Sequence, residues 1–380
     1  MKLGLIISND WELFGDGSGN YFEVQHRPLE ALLQTVEDHG APLTVMAEVA
    51  QQWAHQRIAP HTPWARDVVA AWEAILQETV ARGSDVQLHL HPQWLQARYE
   101  QDAWQVDYDQ WAIGDLEPTH VEAVLREGKH YLERLLQPVQ ADYECIAFRA
   151  GAYCIEPSHN VIPSLQKLGF LCDSSVTKGL YQPQYYDYRD AHGRLVPWFV
   201  SPSSVKYKHD CNEGLLEIPI YAHESVDSPL LRKFLSPWLF YRMCFGVGLS
   251  QQDQHWIAAK NKRLVRYYPV LKRKVVKNNI TSFKWLLSKI LVKSALQLDY
   301  DSLPPMAFVK CLQHIFASQA VRSEQEEVIL PVMASGHVKE VPNFENLHRI
   351  LDGVHRHLRD QVVYWNLRDA VKYWLNLQMA

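Results

Sequence analysis

Short apolar runs alternate with amphipathic helical stretches along the first 220 residues, and again near the end of the chain. Strand-like runs fall at residues 3–7, 43–46, 86–91, 145–148, 170–172, 215–220, 327–334 and 362–364. Helical spacing covers residues 28–39, 62–82, 119–137, 158–168, 346–358 and 367–377, with Gly40, Gly83 and Gly169 closing three of them. Strands that take turns with helices predict an α/β fold, a parallel sheet or barrel with helices outside. With 380 residues, 47% of them hydrophobic and 21% charged, the chain can bury one large or two ordinary cores.

In such barrels the chemistry gathers at the C-terminal ends of the strands. Polar residues directly after the apolar runs are therefore the candidates: Asn9, Asp10, Trp11 and Glu12, then His89 and His91, Arg149, Asp173, Glu217 and His337. The histidine pair is the most specific signal. In residues 86–91 the aliphatics Val86, Leu88 and Leu90 alternate with Gln87, His89 and His91. On a strand both imidazoles share one face, about 7 Å apart at ~3.3 Å rise per residue, and can reach one divalent ion. Pro92 then ends the ladder.

Five segments together carry a family likeness. They are Ser8-Asn9-Asp10-Trp11-Glu12, the run Gly83 to His91, Phe148-Arg149-Ala150-Gly151-Ala152-Tyr153, Leu168-Gly169-Phe170-Leu171-Cys172-Asp173-Ser174-Ser175, and Ser335-Gly336-His337-Val338-Lys339. In this order the chain resembles the polysaccharide deacetylases, the NodB-homology carbohydrate esterases, as a divergent branch associated with bacterial surface polysaccharides. The likeness covers residues 1–220 and 325–377. It implies a distorted (β/α) barrel and a divalent metal, zinc or similar, held by Asp10, His89 and His91. It also implies hydrolysis of an acetamido sugar, with His337 as general acid. Two positions depart from the family. Its second histidine falls four residues after the first, where this chain has Gln93; His91 replaces it, or the shell differs. Its base aspartate aligns with Asn9, an amide that accepts no proton at neutral pH, so Glu12, or Asp10 itself, takes that role.

The chemistry assigns further parts. One carboxylate and two imidazoles leave positions open on a metal, as a catalytic site requires. Arg149 can hold a carboxylate such as Glu12 or Asp173 ionised. Trp11, Trp94 and Tyr153 lie near the expected mouth, where their rings could stack on sugars. Two other classes fit part of the pattern. One is another metal-dependent amidohydrolase, although there the His-x-His pair sits on the first strand. The other is a non-catalytic sugar-binding or assembly protein on the same fold.

Charge divides the chain. Residues 228–300 hold fourteen Lys or Arg against two acids, a balance of +12 in a protein of net charge −5. The remainder thus carries −17, and the block reads as a distinct module. Three parts are expected: a first barrel segment at 1–221, a basic, mainly helical insertion at 222–325, and a last barrel segment at 326–380. Apolar stretches at 228–249 and 280–296 are interrupted by Arg232, Lys233, Arg242, Lys284, Lys289 and Lys293. Such stripes suit peripheral contact with an anionic membrane face or substrate carrier. The acidic remainder and the lack of a recognition motif argue against nucleic acid. The opening run Met1 to Ser8 is too short for an export signal, and six scattered cysteines suit free thiols, so the cytoplasm is expected. The expected substrate is an acetylated sugar, nucleotide-linked or lipid-linked.

Overall fold

The computed structural model describes residues 1–182, 185–224, 237–267, 295–319 and 328–379. Ten strands form the main sheet: β1 (Lys2–Trp11), β2 (Leu43–Glu48), β3 (Asp85–Leu90), β4 (Ala147–Ala150), β5 (Cys172–Asp173), β6 (Trp198–Ser201), β7 (Ser204–Lys208), β8 (Leu216–Glu217), β9 (Ile329–Ala334) and β10 (Val362–Trp365). Their order is β7-β6-β8-β5-β4-β3-β2-β1-β9, and β10 also pairs with β1. From β8 to β9 every pairing is parallel. The sheet curls until Ile220, just past β8, bridges Met333 of β9, and Tyr221 N donates to Met333 O at 3.1 Å. This is the geometry of a distorted (β/α) barrel. On the β8 edge, antiparallel β6 and β7 extend the sheet outward.

Among the described residues there are ten α-helices: α1 (Arg27–Glu37), α2 (Val49–Ile58), α3 (Pro63–Ala81), α4 (Pro118–Leu136), α5 (Ile162–Lys167), α6 (Pro237–Phe245), α7 (Gln251–Tyr267), α8 (Pro305–Gln319), α9 (Glu345–Leu358) and α10 (Leu367–Met379). Both faces of the central strands are covered, so β2, β3 and β4 are buried at every position. None of the helices among the described residues is long and apolar enough to cross a membrane.

Several elements differ from the expectation. β1 runs on to Trp11, four residues past the predicted end. Ser8, Asn9 and Asp10 are polar yet stay in the ladder, because Asn9, Asp10 and Trp11 pair with Val45, Met46 and Ala47. The polar side of this extension is the wall of the site. Helix α2 was not predicted; its sequence, Val-Ala-Gln-Gln-Trp-Ala-His-Gln-Arg-Ile, has no clean apolar stripe, and Glu48 starts it by accepting from Ala50 N and Gln51 N. The run at 215–220 shortens to β8, ending before Pro219, whose ring nitrogen cannot donate to a ladder.

Of the basic block, the chain leaves the barrel on Ala222–Glu224 and returns antiparallel to it on Ala295–Gln297. Between them α6 and α7 are described; Arg232, Lys233, Lys284, Lys289 and Lys293 lie outside the described residues. Helix α8 stands against α9 on the barrel's outer layer, where a Cβ on Gly353 would meet Val309 at 3.0 Å.

Candidate metal and catalytic centre

The inner face of β1 is set by its period of two. Ser8, Asp10 and Glu12 look into the barrel, while Trp11 looks outward to the helices. Asp10 and Glu12 are 2% and 4% exposed, too deep to remain charged without partners. Each has one cation. Arg149, fully buried at the end of β4, donates from Nη1 to Asp10 Oδ1 at 2.5 Å and to Ser8 Oγ at 3.1 Å. Its Nε and Nη2 are fixed by Ser174 O and Oγ, at 2.8 and 3.2 Å. Lys339 donates from Nζ to Glu12 Oε1 at 2.5 Å and to Leu13 O at 3.1 Å. Burial pushes the Asp10 carboxyl up, but Arg149, His89 and His337 outweigh it and hold the group below its ordinary range. Glu12 is held lower still, burial being overcome by His91 and Lys339.

The two imidazoles stand beside Glu12. Its Oε2 lies 2.5 Å from His91 Nε2 and 3.7 Å from His89 Nε2. His89 Nδ1 donates to Arg149 O at 2.9 Å, since a carbonyl only accepts, and this leaves Nε2 facing Glu12. His91 Nδ1 meets Gln93 Oε1 at 3.3 Å, while the Gln93 amide nitrogen donates to Gly15 O at 3.4 Å. This contact likewise leaves His91 Nε2 facing Glu12. Both Nε2 atoms are buried, and the Glu12 carboxylate is the group they face. Two buried imidazole nitrogens and a carboxylate oxygen thus converge, and such a donor set fits a divalent metal. Gln93 orients His91 by this contact.

Glu48, at the end of β2, completes a buried group with Glu12, His89 and His91 whose ligand atoms lie within 4.8 Å of one another. It differs from Glu12 in being satisfied already. Its Oε1 accepts from Ala50 N and Gln51 N at 2.7 and 3.1 Å, and Oε2 from His91 N at 2.6 Å. Burial pushes its carboxyl up to about 8. Glu48 therefore serves as a brace for β3 and α2, and the open donors are Glu12, His89 and His91.

The structure brings Asp10, Glu12, His89, His91, Arg149 and His337 together, but in pairs that differ from the expectation. Asp10 joins Arg149 rather than the imidazole pair. Arg149 holds Asp10, not Glu12 or Asp173. Asp173 instead faces Glu217 in register across β5 and β8, and accepts from Ser175 Oγ at 2.8 Å. Burial raises both of these carboxyls. His337, just past β9, places Nε2 3.7 Å from Asp10 Oδ2 and 3.9 Å from Glu12 Oε1. Its side chain, 20% exposed, is the one in this group that reaches the surface.

Two of the three proposed stacking residues are misplaced. Trp11 is 0% exposed, donates its indole N–H to Gln25 O at 3.0 Å and packs on Trp72. It alternates with Asp10 and Glu12, so it must face the helices. Trp94, 1% exposed, is folded edge-on against Trp104. Neither offers a ring to a ligand. Tyr153 is at the site, its hydroxyl accepting from Gln297 Nε2 at 2.9 Å. Glu48 and Lys339 were missed by the sequence reading. Both had a signal: Glu48 is the first acid after the run at 43–46, and Lys339 sits two residues past His337.

No family model matches this chain, and no curated protein matches it. Among solved structures, the similar chains include two whose inferred description is polysaccharide deacetylase. The one from Mycobacterium smegmatis is 11% identical with a TM-score of 0.46, over 100% of this chain and 91% of that one. The one from Pseudomonas aeruginosa is 14% identical with a TM-score of 0.41, over 98% and 91%. A GH57-type branching enzyme from Pyrococcus horikoshii is 12% identical with a TM-score of 0.46, over 98% and 70%.

Proposed function

We propose that this protein is a metal-dependent hydrolase that removes the acetyl group from an acetamido sugar. The observation that carries the reading is the convergence of the buried Nε2 atoms of His89 and His91 on Glu12. A divalent metal such as zinc, bound by these three, would polarise the acetamido carbonyl and lower the pKa of water. The chain's own residues supply the rest. Asp10, kept ionised by Arg149, accepts the proton of the attacking water. His337, on the open side of the cluster, gives a proton to the departing amine; imidazole is the side chain that exchanges protons near neutral pH. Lys339 holds Glu12 as a carboxylate. Asp10 and Glu12 thus exchange the parts that the sequence suggested for them. The substrate is an acetylated sugar carried on a nucleotide or lipid, and the basic block is the contact to an anionic carrier or membrane face.

The test separates the two carboxylates. Glu12→Gln and the double change His89→Ala/His91→Ala should lose stoichiometric metal. Asp10→Asn and His337→Ala should keep it and lose acetate release by about 10²–10⁴-fold, the usual range for general acid–base groups. Metal retained in Glu12→Gln and lost in Asp10→Asn would restore the opposite assignment. A metal-loaded protein releasing acetate from no acetamido sugar, nucleotide-linked sugar or lipid-linked sugar would reject the enzyme and favour a sugar-binding role.

A further inference from the structure

Trp11 and Trp94 are sealed in the core, but another tryptophan stands beside the site with part of its ring exposed. Residues 107–113 are tied at both ends to the elements that carry the cluster. Asp107 N donates to Gln93 O at 3.1 Å, and Ile113 N donates to Cys154 O at 3.2 Å. Gln93 is the residue whose side chain meets His91, and Cys154 follows Tyr153. The loop therefore runs from behind His91 to beside Tyr153, and Trp111 lies within it, partly exposed. A Cβ on Gly15 would sit 3.4 Å from Cη2 of Trp111 and 3.8 Å from Nε2 of Gln93, so the indole and that amide meet over Gly15. Gly15 is three residues past Glu12, and its carbonyl accepts from Gln93. Through Gln93 the indole borders the His91 imidazole.

Two consecutive tyrosines join Trp111 to the other side of the cluster. Tyr185 stands edge-on to the indole, with ring centroids 5.1 Å apart, and Tyr186 meets Tyr153 at 6.2 Å. Both are partly exposed. They belong to the strand pair Tyr181–Gln182 and Tyr186–Asp187 or its turn, a unit apart from the main sheet. A band of rings thus runs from Gly15 to Tyr153, on two segments that the barrel itself does not require. Each ring has an apolar body and a polar tip, the chemistry that takes the C–H face of a sugar ring while its hydroxyls meet phenol, indole N–H or water. The indole is held by Gly15, Tyr185 and both ends of its loop, so little ordering is left to a ligand. An open-chain amide that reached the metal would leave this band uncovered.

We propose that Trp111, bordered by Tyr185, is the stacking platform for the pyranose ring that carries the acetamido group. The proposal rests on the deacetylase reading for the bond that is broken, and it adds that the amide must be borne on a six-membered sugar ring. Binding tests it apart from turnover. The metal-loaded full chain would be titrated, by ligand-observed NMR, with the methyl glycosides of N-acetylglucosamine, N-acetylgalactosamine and N-acetylmannosamine, and with N-acetylethanolamine as the open-chain amide. At least one sugar should bind tenfold tighter than N-acetylethanolamine or better. Trp111→Ala should weaken that sugar tenfold or more, and Trp111→Phe should recover much of the loss. Neither should change the bound metal or the affinity for N-acetylethanolamine. Tyr185→Ala, which leaves the indole in place, should cost several-fold and carries the test if Trp111→Ala does not fold. Sugar affinity untouched in the folded variants would overturn the proposal. So would an equal loss for sugar and open-chain amide, which would assign Trp111 to holding Gly15 and Gln93 behind His91. No sugar binding tighter than N-acetylethanolamine would overturn it too. A sugar bound through Trp111 by protein that releases no acetate would keep the platform and reject the deacetylase. Acetate release from the sugar at unchanged kcat/KM in Trp111→Ala would do the reverse.

Discussion

At the scale of single residues, the site depends on how closely Gly151 approaches His91. A Cβ at Gly151 would sit 2.4 Å from His91 Cγ, so any side chain there must turn the imidazole. We expect Gly151→Ala to cost about 1–3 kcal/mol of stability, as overpacked cores do. It should also weaken metal binding tenfold or more, because the ring leaves its bracing contacts. A metal titration beside a thermal melt checks both; unchanged affinity in a folded variant would remove His91 from the ligand set. This contact was hidden in the sequence, where Gly151 is one letter of a motif. The histidine pair was legible because strand alternation and Pro92 fix its face and its end. The division of labour between Asp10 and Glu12 was not. Both occupy the inner face of β1, two residues apart, and only the reach of Arg149 from β4 and Lys339 from beyond β9 separates them. Trp11 could have been placed, since the same alternation that turns Asp10 inward turns it out.

At the scale of elements, helix α2 links the site to the outer layer. Glu48 starts it behind His91, and His55 ends its buried face against Trp104, Trp64 and Tyr21. His55 Nδ1 donates to Gln51 O at 2.9 Å, and burial pushes the imidazole down to about 4. The folded protein thus stays unprotonated where the unfolded chain, titrating near 6.5, takes up a proton. Stability must then fall as pH drops from 6.5 toward 4, by on the order of 3 kcal/mol from this group. Denaturant unfolding at several pH values should show that slope, and His55→Phe should flatten it; an identical slope in the variant would remove His55 as its source. Elements with strong period were legible: β1, β2, β3, β9 and helices α3, α4, α9 and α10 fall near their predicted places. The antiparallel β6 and β7 were not, because they are short and bend at Val200 and Ser201. Helix α2 was hidden by its even spread of polar residues, which face Tyr131 and Gln25 rather than water.

At the scale of the whole molecule, charge separation is the feature that the barrel does not use. The block at 228–300 carries +12 in a chain of −5. Lys260 is spent inside the fold on Asp301 and Glu340, and Arg263 on backbone carbonyls, so part of that charge is structural. On α6, Leu239 and Met243 are 38% and 50% exposed, one helical turn apart, with Arg242 exposed beside them. An outward apolar pair flanked by a cation is the pattern of a helix that lies in a membrane interface. We propose that this face meets an anionic surface, where each Lys or Arg contributes on the order of 1 kcal/mol, so that four suffice for weak, reversible attachment. Vesicles of phosphatidylcholine with and without anionic lipid, spun down with the protein at low and high salt, decide the matter. Binding should require anionic lipid, fade as salt screens the charges, and weaken several-fold in Leu239→Ser/Met243→Ser. If the protein stays in the supernatant with anionic vesicles at low salt, the block is a binding wall for substrate and not a membrane contact, and a lipid-linked sugar loses its support as substrate against a nucleotide-linked one.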